Sequence, residues 1–196
     1  ERSRGLGDVY KRQLKQWLKS SGYPPKLIGF GGFDSLIFLE KTMSADDIFT
    51  ALIDKHNTQR ALCADIEKAL ADNDLSVAKT IYATLELELK AHAAAEERHL
   101  YVPVMAYDDG LDLCRHAIAE HHEMDEMMHT LNDGRISDET WQTTCQALID
   151  EVRHHLKEEE TQFFKDAKKL LDKSQQERLG ALYVSEHKTF ADNYSK

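Results

Sequence analysis

The sequence predicts an all-α protein, an up-down-up-down four-helix bundle with an additional C-terminal helix. Three observations predict it. Apolar residues recur every three or four positions through five long stretches. Only short linkers separate the first four of them. No segment sustains the alternation of a strand. The breaks at Asp72–Leu75, Ala106–Asp108 and Asn132–Ile136 are so short that successive helices must return antiparallel.

The first helix is expected from Ala45 to Ala71, with Ile48, Leu52, His56, Cys63, Ile66 and Leu70 on one stripe. Ser44-Ala-Asp46-Asp47 before it reads as an N-cap followed by acids in the first turn, which makes Met43 the expected natural start. The second runs from Ser76 to Met105 through Ile81, Leu85, Leu89, His92, Glu96 and His99, with a kink or end at Pro103. The third, Asp109 to Leu131, carries Leu111, Cys114, Ile118, His121, Met124 and Met128. The fourth, Ser137 to Leu171, carries Leu148, Val152, His155, Glu159, Phe163 and Leu170. Ser174-Gln-Gln-Glu177 fits a capping box that opens a last helix towards Phe190.

Residues 1–42 are expected to stand outside this fold as a non-native or disordered flank, leaving one domain over residues 43–196. Asp8-Val-Tyr-Lys-Arg-Gln13 reads like a translated sequencing adapter, and residues 14–42 place Gly and Pro without a sustained period and contain none of the ten His. The whole chain has 25 Lys/Arg and 35 Asp/Glu, a net charge of −10. Setting aside the flank's 8 basic and 4 acidic residues leaves −14. Such a surface repels nucleic acid and anionic lipid. No apolar run approaches the roughly 18 residues of a membrane span, and Leu36–Leu39 is too short for a signal core, so a soluble, cytoplasmic protein is expected. Cys63, Cys114 and Cys145 are odd in number and sit among apolar helical positions, as buried reduced thiols do.

The chemistry lies in a repeated motif. His92-Ala-Ala-Ala-Glu96-Glu97 and His155-Leu-Lys-Glu-Glu159-Glu160 are both H-x-x-x-E-E within helical stretches. A helical residue and its i+4 neighbour share a face, so each motif points an imidazole and a carboxylate the same way, as half of a metal site. His56 precedes His92 by 36 residues and His121 precedes His155 by 34, a duplicated pattern. Counting residues from each turn at about 1.5 Å of rise brings all four His to about one height, provided the third helix is the short one. His buried in an apolar stripe costs desolvation energy unless its nitrogens are satisfied, and four at one depth point to a shared metal.

Neighbouring residues sort by face. His121 lies with Ile118, Met124 and Met128, whereas His122 lies with Asp125, Glu126 and His129; His155 lies with Leu148 and Val152, whereas His154 lies with Asp150, Glu151 and Lys157. His121 and His155 are therefore inward, and His122, His129 and His154 are surface residues. His99, one turn past Glu96 on the inward stripe, is expected beside the ligands or along a channel to them. Glu88, one turn before His92, is either an orienting partner or a solvated salt bridge. His116 and His187 join no constellation.

These motifs resemble the hemerythrin-like (HHE cation-binding) domain over about Asp46 to Ala167. The resemblance rests on the His of the first helix, Leu89-Lys-Ala-His-Ala-Ala-Ala-Glu-Glu-Arg-His-Leu-Tyr-Val-Pro103, Glu120-His121, and Val152-Arg-His-His-Leu-Lys-Glu-Glu-Glu160. It implies a non-heme di-iron centre with His as terminal ligands and carboxylates bridging. Carried over by position, the ligands are His56, His92, Glu96, His121, His155 and Glu159, with Glu160 as the alternative to Glu159. Oxygen carriers of the family have a second His one turn after the one in the third helix, where this chain has Asp125. The resemblance thus points to the bacterial group with proposed roles in oxygen, nitric oxide, peroxide or iron sensing; as a sensor this chain would need a separate partner protein. Two other readings stay open: a ferritin-like di-iron oxidase using Glu96-x-x-His99 and Glu151-x-x-His154, and a metal-free helical interaction module. No residue is assigned a catalytic role.

Overall fold

Asp47 caps the first helix in a computed structural model that describes residues 47–194; its carboxylate accepts hydrogen bonds from the backbone N–H of Phe49 and Thr50, both at 3.0 Å. The cap is therefore Asp47 and not the expected Ser44, which lies outside the described residues along with the flank of residues 1–42. Every element is helical, and no strand occurs among the described residues. Helix α1 spans Ile48–Ala71 and α2 spans Leu75–Glu96. Between them Asn73 adopts φ 59°, a left-handed conformation that Asn tolerates better than most side chains. There the N–H of Asp74 reaches the carbonyl of Ala69 at 2.8 Å, closing the end of α1, while Asp74 caps α2 through the N–H of Val77.

The second helical run does not stop at Glu96. It widens into a π turn over Glu97–Tyr101 and resumes as the short α3, Val102–Val104. Pro103 explains the widening, because its ring clashes with the carbonyl four residues back and it has no N–H to donate. Helix α4 follows over Leu111–Leu131. Gly110 opens it against α3: a Cβ there would lie 2.2 Å from the carbonyl oxygen of Val104, so only glycine lets the backbones approach. Helix α5 spans Asp138–Glu158, capped by Ser137, and also passes through a π turn, Glu159–Phe163, before α6, Phe164–Leu170.

Helix α7 spans Lys173–Tyr194. Its capping box lies two residues earlier than expected. Gln175 N–H donates to Asp172, and Asp172 N–H donates to the Gln175 side chain, both at 2.8 Å, so the reciprocal pair is Asp172 and Gln175 and not Ser174 and Glu177.

Helices α1, α2, α4 and α5 share a core of Cys63, Ile66, Tyr82, Leu85, Met124, Met128, Trp141, Leu148 and Val152, all buried. Tyr82 and Trp141 meet edge to face with centroids 5.6 Å apart, the arrangement aromatic quadrupoles favour. All three cysteines are free and buried as expected, and burial pushes the Cys63 thiol up to about 11. Helix α7 packs along α1 and α2. His56 lies two turns before Cys63 on α1, so this apolar core flanks the level where the histidines meet.

Candidate metal centre

The helical repeat delivers the histidines inward. His56 comes from α1, His92 and Glu96 from α2, His121 from α4, His155 from α5, and Glu159 from the π turn that continues α5. All six sequence-predicted residues are buried, His121 most accessible at 7%. They converge in two sets whose ligand atoms lie within 4.8 Å of one another: His56, His92, Glu96 and Glu159, and then Glu96, His121 and His155. Glu96 belongs to both. The Nε2 of His56 is 3.3 Å from Glu159, that of His92 is 3.2 Å from Glu96, and those of His121 and His155 face one another at 3.2 Å.

Each imidazole is held from behind by its other nitrogen. His56 Nδ1 donates to Glu160 at 2.8 Å, His121 Nδ1 to Glu97 at 3.0 Å, and His155 Nδ1 to Glu120 at 2.9 Å. His92 Nδ1 shares a 2.8 Å hydrogen bond with the hydroxyl of Tyr183 on α7. With a carboxylate behind Nδ1, the neutral rings of His56, His121 and His155 keep their proton there and leave the lone pair on Nε2, and the Nε2 of His92 is likewise turned to the cluster. Glu160 is also bound by Arg60 at 2.8 Å, so its oxygen serves as an orienting partner while Glu159 occupies the interior.

This cluster is costly as bare protein. Among the described residues, His56 Nε2, His92 Nε2, one oxygen of Glu96 and one of Glu159 are buried without a hydrogen-bond partner. Buried polar atoms are nearly always satisfied, and apart from the Gln59 amide and Oε1 of Glu120 the unsatisfied ones belong to four residues of a single converging set. Burial pulls the His56 imidazolium pKa down, yet hydrogen bonds and charge from Glu159, Glu160 and Glu96 outweigh it and raise the value to about 9. His92 goes the other way, held well below its ordinary value by burial and by the neighbouring imidazoles. The carboxylates call for positive charge, while His92, crowded by the other rings, refuses a second proton. A metal cation meets both demands, and nitrogen and oxygen donors of this kind suit first-row transition ions.

The sequence missed Tyr101. It is fully buried, and its hydroxyl lies 3.0 Å from Glu96 and 2.9 Å from Glu159, so one phenol proton sits between two carboxylates. Tyr101 is five residues after Glu96, off the stripe of an α-helix. In a π turn the bonding is i to i+5, which brings residues five apart over one another. The same turn moves His99 aside, half-buried and 3.9 Å from Glu186 of α7. The Pro103 signal, read as a kink, was the available hint.

Other assignments resolve as follows. Glu88 does not orient His92; it pairs with Lys55 and, at 2.9 Å, with His187, which is buried on α7 and joined no constellation in the sequence. His122, His129 and His154 are exposed as expected, and His116 is exposed too. Asp125 faces solvent, so α4 contributes one imidazole to the centre.

The sequence model of the hemerythrin HHE cation binding domain matches residues 47–167. This chain belongs to that family. The match runs from α1 into α6 and covers every element that supplies one of the six converging residues, while Tyr183 and His187 of α7 lie beyond it. No curated protein and no solved structure matches the chain. Membership in the hemerythrin family supports cation binding, and no helix among the described residues is long and apolar enough to cross a membrane.

Proposed function

We propose that this hemerythrin-like chain holds a non-heme di-iron centre that binds or senses dioxygen or a related small oxidant such as nitric oxide or peroxide, or that handles iron. The observation that carries the proposal is the convergence of buried donor atoms in two sets that share Glu96, with an unpartnered atom on each residue of the first set. His56, His92, Glu96 and Glu159 would take one ion, and His121 and His155 with Glu96 the other. The 3.8 Å approach of Glu159 to His155 Nε2 supports Glu159 as a second bridge. Iron in this setting supplies one-electron redox chemistry and coordination positions open to a small ligand. Asp125 in place of a further imidazole leaves the second position poorer in nitrogen, which favours sensing or iron handling over oxygen transport.

A cleft of about 360 Å³, bounded by Leu113, Ala117 and Phe163 and reaching Glu159, offers a small ligand a route inward. The ferritin-like oxidase is disfavoured, because His154 is exposed and Glu151 is only partly buried, away from the cluster. We further take the four helical runs to alternate up and down, the chain to act in the cytoplasm over residues 43–196, and a sensing role to require a separate signalling partner.

Reconstitution of the full chain with ferrous iron tests the proposal. Two irons per chain, and after oxidation the near-ultraviolet charge-transfer absorption of a coupled ferric pair, are expected. Uptake of one zinc and no iron would overturn it.

A further inference from the structure

The H-x-x-x-E spacing recurs outside the buried centre, on α4 and again on α5. His116-Ala-Ile-Ala-Glu120 on α4 and His154-His-Leu-Lys-Glu158 on α5 are each an imidazole and a carboxylate one turn apart, rotated away from the buried motifs. The structure brings these two pairs together at the surface. His116 Nε2 lies 3.0 Å from one oxygen of Glu158 and 3.5 Å from Oε1 of Glu120. His154 Nε2 lies 3.6 Å from the same Glu120 oxygen and 3.7 Å from the other oxygen of Glu158. One ligand atom each from His116, Glu120 and Glu158 falls within a 4.8 Å set, and His154 borders it.

Exposed His and Glu often meet as weak ion pairs, so proximity decides nothing alone. The deciding atom is Oε1 of Glu120. Glu120 is 6% exposed, and this oxygen is buried with no hydrogen-bond partner among the described residues, although two imidazoles face it. Its sister oxygen is engaged with His155 Nδ1 at 2.9 Å. A buried carboxylate oxygen turned to two imidazoles at distances too long for a hydrogen bond has the arrangement of one ligand around a shared ion.

We propose that His116, Glu120, Glu158 and His154 form a surface site for a first-row divalent transition ion, separate from the buried centre. Two imidazoles and two carboxylates are a donor set for zinc, cobalt or ferrous ion, whereas magnesium and calcium prefer oxygen alone. The cleft that reaches Glu159 is lined by His116, Glu120 and Glu158, so an ion held here stands at the entrance of the approach to the buried carboxylates. Glu120 joins the two places through its two oxygens.

The probe is Co²⁺, titrated into the metal-stripped full chain with calorimetry and visible absorption. The parent chain should show a weaker class of site of one ion besides the tighter buried class. His116→Ala combined with Glu158→Gln, both at exposed positions, should abolish the weaker class or weaken it at least about tenfold while sparing the tighter one. His122→Ala with Glu126→Gln is the control, an exposed i,i+4 pair 3.5 Å apart on the same helix, and should leave both classes intact. His56→Ala should affect only the tighter class, so failure of the buried reading and failure of this one register separately. An unchanged weaker class in the His116 and Glu158 variant overturns the proposal. Equal loss in the control pair also overturns it, showing adventitious surface binding only.

Discussion

Replacing Tyr101 by Phe removes one oxygen from the middle of the buried cluster and little else. The ring keeps its packing, stacked on His121 at 5.5 Å and tilted against Phe163 at 5.1 Å, so no cavity opens. What is lost is the phenol proton between Glu96 and Glu159. A single O–H serves two acceptors, so the loss amounts to one hydrogen bond to a charged group, about 1.5–3 kcal/mol, in a volume where water cannot replace it. At roughly 2–4 °C per kcal/mol for a domain of this size, the metal-free variant should melt about 3–12 °C below the parent. Metal-loaded protein should show a smaller drop, because cations then supply the positive potential that the carboxylates lack. Thermal melting of both proteins, stripped and loaded, measures this. No drop in the stripped variant, or an equal drop in the two states, would refute the idea that Tyr101 offsets carboxylate charge when metal is absent.

His155→Ala should lower affinity at the buried centre beyond the 10–100-fold typical of losing an orienting partner, whereas His154→Ala should leave the tightly held iron near parent levels; iron per chain after reconstitution checks both, and the reverse order would favour the ferritin-like arrangement. Gly110→Ala should destabilise the fold by about 1–3 kcal/mol in urea unfolding, because the new methyl meets the Val104 carbonyl, while Gly134→Ala, with nothing within 4 Å, should change little. A chain beginning at Met43 should melt with the full chain; a fall of several degrees would show that the flank stabilises the domain and would sink its exclusion.

The i+4 rule placed His92 with Glu96 and His155 with Glu159, and it separated His121 from His122 and His155 from His154. It could do so because one helical step of about 100° turns a neighbour from the core to solvent, and the apolar residues mark which side is the core. Helix existence was legible for the same reason, with short breaks at Asp72–Leu75, Ala106–Asp108 and Asn132–Ile136 separating the runs.

Caps were less legible. Asp47 and Asp172 won over Ser44 and Ser174 as the assigned caps, since several polar residues sit at each helix start and only backbone geometry chooses among them.

What tertiary structure alone decided lies where the period breaks or where distant elements meet. The π turn over Glu97–Tyr101 brings Tyr101 to the carboxylates and turns His99 aside, and no fixed 3.6-residue count anticipates that. The choice of Glu159 over Glu160 for the interior is likewise made by burial and by Arg60, 100 residues away in sequence. Tyr183 and His187 find His92 and Glu88 only because α7 lies along α1 and α2, and the meeting of Glu120 with His116 and His154 depends on the docking of α4 against α5. Local sequence fixes the face a side chain takes on its own helix; which face of another helix it meets depends on packing of the whole core.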